Sequence, residues 1–193
     1  MEIYFIGDIK LFENQLLISV PLSGDLSFEK VVVYVCEHTE RGAVGLIINR
    51  PTEYNMDFIF DQLGIEKDQS TLFKQPVLFG GPVQQDRGFV IHKPLEGFDP
   101  NLGLNDEICV STSQEILRRI ASGQGPDNCL VTLGYAGWAA EQLDSEIKQS
   151  LWLTCAANEE LVYHTPFDDK WQACVDSLGF DINKLITTSS GNA

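Results

Sequence analysis

Early in the chain, apolar residues gather into short unbroken runs instead of alternating with polar ones. "QLLISVPL" (15–22), "VVVYVC" (31–36) and "AVGLIIN" (43–49) are such runs, rich in β-branched residues and bounded by turn formers. That pattern predicts three strands, the second buried on both faces and the third also buried. The first should end at Pro21, and "SGDLSFEK" (23–30) predicts a turn or one helical turn. The polar link "EHTERG" between the second and third is too short for a parallel crossover, so those two strands should form an antiparallel hairpin.

Further along, the period changes. In "NMDFIFDQLG" (55–64), Met56, Ile59, Phe60 and Leu63 recur at helical spacing, with Asn55 as cap and Gly64 as stop. "QPVLFGG" and "RGFVIH" predict strands on either side of a glycine bend, and "EICVST" (107–112) predicts a strand leading into a helix. Thr112 and Glu115 have capping-box spacing there, Ile116, Leu117 and Ile120 make the stripe, and Gly123 ends it. "NCLVTLGYAG" (128–137) reads as a buried strand broken by Gly134 and Gly137, and the helical period of "WAAEQLDSEIKQSLW" predicts a helix beginning at Trp138. "LWLTCA" and "ELVYHT" predict a hairpin around Asn158 and Glu159, and "FDDKWQACVDSLG" (167–179) a last helix with Trp171, Cys174, Val175 and Leu178 on one face. The polar tail "TTSSGNA" should be frayed.

Hairpins mixed with scattered helices, without a sustained βαβα alternation, predict an α+β fold. The expected architecture is a mostly antiparallel mixed sheet, partly barrel-like, with helices packed around it.

Composition narrows the function classes. Thirteen Lys and Arg against 28 Asp and Glu give a formal charge of −15, which disfavours direct contact with phosphate backbones and anionic lipids. "MEIYFIGDIKLFENQ" lacks the basic start and apolar stretch of a signal peptide, and no run approaches the roughly 18 apolar residues of a membrane span. A cytoplasmic protein without membrane contact is therefore expected. The five cysteines, Cys36, Cys109, Cys129, Cys155 and Cys174, contain no C-x-x-C pair, so neither a disulfide framework nor a structural zinc site is expected.

Several groups could carry chemistry. Cys36-Glu37-His38 closes a strand, with Arg41, Arg50 and Arg87 as candidate cations. A thiol beside a guanidinium would be a nucleophile or redox sensor; a core cysteine beside solvated turn residues is the plainer alternative. His38, His92 and His164 show no metal-ligand spacing, and no metal or cofactor is expected. Trp138, Gln142 and Glu146 follow glycines at i, i+4 and i+8. They could open an anion-binding helix terminus, or Trp138 could fill the core while the two polar residues bind backbone. Gly80-Gly81-Pro82 lacks both the dinucleotide and the phosphate-loop spacing, so a tight bend is expected.

"VVVYVCEHTERGAVGLIINRP", "LFGGPVQQDRGFVIH" and "LGYAGWAAEQLDSEIKQSLWL", in this order, closely resemble the bacterial AlgH/YqgE family. The likeness runs from about Gln15 to Ala193. It implies one domain over residues 1–193, with 1–14 as an N-terminal extension, and a compact α+β fold on a partly barrel-like sheet. For activity it implies only an indirect association with transcriptional control of alginate production, and no catalytic residue to carry over. The favoured expectation is a regulatory protein that binds a small molecule or a protein partner. Its pocket would use Arg50, Gly80, Gly81, Arg87, Trp138 and Gln142. An enzyme or redox sensor using Cys36 is the alternative, and a direct DNA-binding regulator is disfavoured by charge.

Overall fold

The structure, a computed structural model, describes residues 12–21, 30–67, 74–100, 102 and 106–179. In chain order the elements are β1 (Gln15–Ser19), β2 (Val32–Thr39), β3 (Gly42–Ile47), β4 (Pro51–Asn55), α1 (Met56–Leu63), β5 (Pro76–Phe79), β6 (Val83–His92) and β7 (Cys109–Ser111). Then follow α2 (Gln114–Ala121), β8 (Cys129–Ala139), α3 (Gln142–Lys148), β9 (Trp152–Ala156), a π-helical turn (Glu160–His164) and α4 (Lys170–Ser177). The expected turn at 23–30 and the polar tail fall largely or wholly outside the described residues.

All nine strands belong to one mixed sheet, ordered β4-β5-β8-β3-β2-β1-β9, with β6 pairing β8 and β7. Among the described residues β5 and β8 run parallel and the other pairs antiparallel. The fold is thus the expected α+β class, on a sheet that does not close into a barrel.

The continuous apolar runs are explained by burial on both faces. Leu16, Ile18, Val32, Tyr34, Leu46 and Ile48 face a central core completed by Phe89, Ile91, Leu130 and the π-turn and α4 residues Leu161, Val162, Trp171 and Cys174. Their neighbours Leu17, Val31, Val33, Val35 and Ile47 face a second core that includes Leu143 of α3. Val77, Val90 and Val131 face a third, closed by α1 and α2 through Ile59, Phe60, Ile116 and Leu117. Alternate residues of one strand therefore enter different cores.

β8 joins the two halves of the sheet. Cys129–Leu133 pair with β6, and Thr132 and Leu133 also with β5. Ala136–Ala139 pair with β3. Gly134, at φ +75°, lies at the changeover. Opposite it, β6 pairs Val83 with Tyr135 and next pairs Gly88 with Leu133, so Gln84–Arg87 bulge out of the ladder. A Cβ on Gly134 would collide with the Gly81 carbonyl oxygen and lie 3.0 Å from the Val83 oxygen and 3.2 Å from Gln85 Cα. Gly81, at φ +152°, presses equally close on the Tyr135–Ala136 peptide.

Local expectations fared differently where tertiary pairing competed. Asn55 caps α1 by accepting the Phe58 N–H at 3.0 Å, and Gly64 stops it in the left-handed region. The 37–42 link is tighter than expected, because β2 continues to Thr39 past a bulge between Val35 and Glu37. β8 is not broken at Gly137, and Trp138 ends a strand instead of starting a helix, since its partner Ala43 holds it in the ladder. "ELVYH" winds into the π-turn, where Asn158 accepts the Leu161 and Val162 N–H groups and Lys170 Nζ donates to the Leu161 and Val162 carbonyls at 2.6 and 2.9 Å. α2 takes Ser113 as its N-cap, one residue past Thr112, with no cap bond from the Ser113 side chain, and Glu115 pairs with Arg119 at 3.3 Å.

Gly134→Ala should therefore destabilise the protein by roughly 2–3 kcal/mol in urea denaturation, whereas Gly88→Ala, whose Cβ would meet nothing within 4 Å, should change it by less than about 1 kcal/mol. Equal effects would contradict the packing described at Gly134.

Candidate functional site

Cys36 is 1% exposed in the central core, with its Sγ nearest hydrogen-bond partner the Tyr34 carbonyl at 3.8 Å. Burial pushes the thiol far up from its ordinary value, and the Glu37 and Glu13 carboxylates push the same way. The bulge after Val35 puts His38 opposite Ala43 of the second core, so Cys36 and His38 face opposite sides of the sheet. His38 instead pairs with Asp144 at 3.2 Å, while its Nδ1 is buried without a partner. Arg87 stacks on Phe89 at 5.2 Å and reaches Gln84 Oε1 at 3.4 Å. Arg50 enters β4, and its carbonyl accepts the Phe79 N–H at 2.8 Å. Burial and neighbouring carboxylates give Cys36 the opposite of the electropositive, accessible setting in which thiols become reactive.

The glycine bend uses its backbone internally. Gly80 N–H donates to the Leu133 carbonyl and Gly80 O accepts from Ile47 N–H, both at 2.8 Å. The bend joins β3, β5 and β8 by close backbone approach.

Trp138, Gln142 and Glu146 do converge, though across a strand and a helix. Glu146 Oε2 accepts both indole N–H groups, from Trp138 and Trp152, each at 2.8 Å. Its Oε1 accepts Gln142 Nε2 at 2.8 Å, and Gln142 Oε1 accepts the Ala139 N–H at 3.0 Å. Three donors from within the protein thereby share the carboxylate, and the two indoles meet edge to face at 6.1 Å. The arrangement fastens α3 to β8 and β9. Trp152 escaped the sequence reading because only the fold brings it to Glu146.

The other histidines are similarly engaged. His92 is fully buried, with Nδ1–H donating to Lys93 O at 2.7 Å and Nε2 accepting from Ser111 Oγ at 2.8 Å. Burial lowers its pKa and favours this neutral form. His164 contacts Glu159 at 3.1 Å. Among the described residues no three His, Cys, Asp or Glu side chains gather as a metal site would require.

A cleft of about 350 Å³ opens between α1, α2 and the β6 bulge. Ile59, Val90, Leu117, Val131 and Leu133 form an apolar floor, and Gln62, Gln85, Asp86, Arg87, Ser113 and Gln114 a polar rim. Of the residues singled out from sequence, Arg87 lines it, and Arg50, Gly80, Gly81, Trp138 and Gln142 are not part of its lining. Leu63, which the sequence places on the apolar stripe of α1, is 41% exposed and also borders the cleft.

A family model described as AlgH-like matches residues 16–183. A UPF0301 protein of Legionella pneumophila (strain Lens) is 46% identical over 185 residues, covering 96% of this chain and 98% of its own length. One from Shewanella woodyi is 43% identical over 183 residues, covering 94% and 98%. The solution structure of the AlgH protein from Pseudomonas aeruginosa aligns with a TM-score of 0.73 at 35% identity, covering 100% of this chain and 98% of that one. A crystal structure of a Corynebacterium diphtheriae protein aligns at 0.65 and 18% identity over 83% of each chain, a likeness of fold alone.

If Glu146 serves as the internal acceptor for both indoles, Glu146→Ala should cost about 2 kcal/mol or more in denaturant unfolding. A loss below about 0.5 kcal/mol would show that the cluster holds nothing together.

Proposed function

The chain belongs to the AlgH-like family, and from that premise we propose that it is a cytoplasmic regulatory protein that acts by binding a small molecule in the α1–α2–β6 cleft. The cleft carries the proposal. Its volume of about 350 Å³ falls within the range of small-ligand sites, and a closed apolar floor under a few convergent polar groups is how such sites gain affinity and orientation together. The rim supplies one guanidinium, one carboxylate and three side-chain amides. That chemistry suits a ligand with an apolar body and a carbonyl or carboxylate head placed near Arg87.

A catalytic role for Cys36 loses its support where burial and carboxylates hold the thiol protonated. Direct DNA binding is opposed by the −15 charge, so regulation through a ligand or a protein partner is the simpler route. A second reading, that a protein partner docks beside the cleft, is favoured by Tyr54 and Phe58. These are 40% and 41% exposed and stack on each other at 4.6 Å. Among the described residues no helix is long and apolar enough to cross a membrane.

Titrating the 15N-labelled protein with a fragment library rich in aryl and alkyl carboxylates should shift amides of Phe89, Leu117, Val131 and Leu133 together. Arg87→Ala should weaken carboxylate hits about tenfold while sparing uncharged ones, and Leu117→Trp should block both. Hits that scatter over the surface, or that bind Leu117→Trp equally well, would remove the cleft as the site.

A further inference from the structure

Outside the cleft, β9 and α4 bring two thiols together. Leu16 of β1 is the register partner of Cys155, and directly paired residues share a face. Leu16 lies in the central core together with Cys174, and Cys155 packs against that core. Trp171 Nε1 donates to the Ser19 carbonyl at 3.0 Å and pins α4 to β1, beside the point where Ser19 pairs with Trp152. Three residues on from Trp152 and Trp171 come Cys155 and Cys174, both set against the central core and near enough for each thiol to act on the other's ionisation. Both are free thiols, Cys174 fully buried and Cys155 partly accessible.

We propose that Cys155 and Cys174 are a peroxide-oxidised pair that forms a reversible disulfide between β9 and α4. The Cys155 thiolate attacks one oxygen of hydrogen peroxide, the O–O bond breaks, and the departing hydroxide takes up a proton to leave as water. Cys155 is then a sulfenic acid. The Cys174 sulfur attacks it, the S–O bond breaks as the S–S bond forms, and the Cys174 proton leaves with the second water. Two thiols lose two electrons and one peroxide becomes two waters.

The division of roles follows from the surroundings. The Cys174 S–H donates to Cys155, favouring the Cys155 thiolate against the opposing effect of its burial, so its pKa is pulled down to about 7. Ser177 Oγ, also beside Cys155, gives its proton to the Cys174 carbonyl at 2.7 Å, which leaves the Cys174 thiol as the main donor. That same bond and burial keep Cys174 protonated, while the Lys170 ammonium acts the other way. A partly accessible thiolate beside a protected partner thiol is the arrangement of attacking and resolving cysteines. By contrast, burial pushes the thiols of Cys36, Cys109 and Cys129 up.

The test treats the full chain with stoichiometric hydrogen peroxide, blocks residual thiols with iodoacetamide, and reads intact mass and cross-linked peptides. The wild type should lose two hydrogens, with Cys155 joined to Cys174, and dithiothreitol should restore it. Cys155→Ser should form no cross-link. Cys174→Ser should leave a sulfenic acid on Cys155 that dimedone traps, and Cys36→Ser should behave as wild type. Over-oxidation of Cys155 without a cross-link, or a cross-link between other cysteines, would overturn the proposal. Should Cys174→Ser fail to fold, the wild type and Cys155→Ser decide between these outcomes.

Discussion

The fold turns on a close approach of backbone to backbone. Gly80 and Gly81 lie against Gly134, Tyr135 and Ala136 with no room for a Cβ at Gly80, Gly81 or Gly134. At this contact β8 changes partners, from β5 and the main run of β6 before Gly134 to β3 from Ala136 onward, with Tyr135 still paired to Val83 of β6. Two smaller sheets thereby become one surface that folds over a common core. Because the contact is between main chains, its tolerance is a few tenths of an ångström, and side-chain repacking cannot relieve an intrusion there.

The cleft inherits its shape from the same contact. Opposite Gly134, four residues of β6 leave the ladder, and three of them, Gln85, Asp86 and Arg87, become one wall. The floor is the outer face of β6 and β8, covered only in part by α1 and α2. Binding capacity therefore comes from an irregularity in a strand that the adjoining core holds still, which gives a polar rim with fixed positions over an apolar surface. The second and central cores are closed by other means, with Glu146 drawing two indoles to α3 and Trp171 tying α4 to β1.

Much of this was legible in the residues. Continuous β-branched runs signalled two-faced burial, and the strands obey it residue by residue through three cores. Asn55 and Gly64 marked the ends of α1, since caps are local chemistry. What escaped depends on partners distant in sequence. Helical spacing around Trp138 was real, yet pairing with Ala43 held that residue in a strand and delayed the helix to Gln142. Gln142 and Glu146 bond each other, the Ala139 N–H and two indoles, and Cys36 lies in the core facing away from His38. The cysteines that meet, Cys155 and Cys174, share no motif, because a strand and a helix bring them together.

Amide hydrogen exchange tests the glycine joint most directly. The Gly80 N–H is bonded to Leu133 O and the Ile47 N–H to Gly80 O, so both should exchange only with global unfolding, as slowly as Val33 in the middle of β2. Exchange at Gly80 on the timescale of an exposed loop would mean that this N–H is available to a ligand and that the joint described here does not hold the two halves of the sheet.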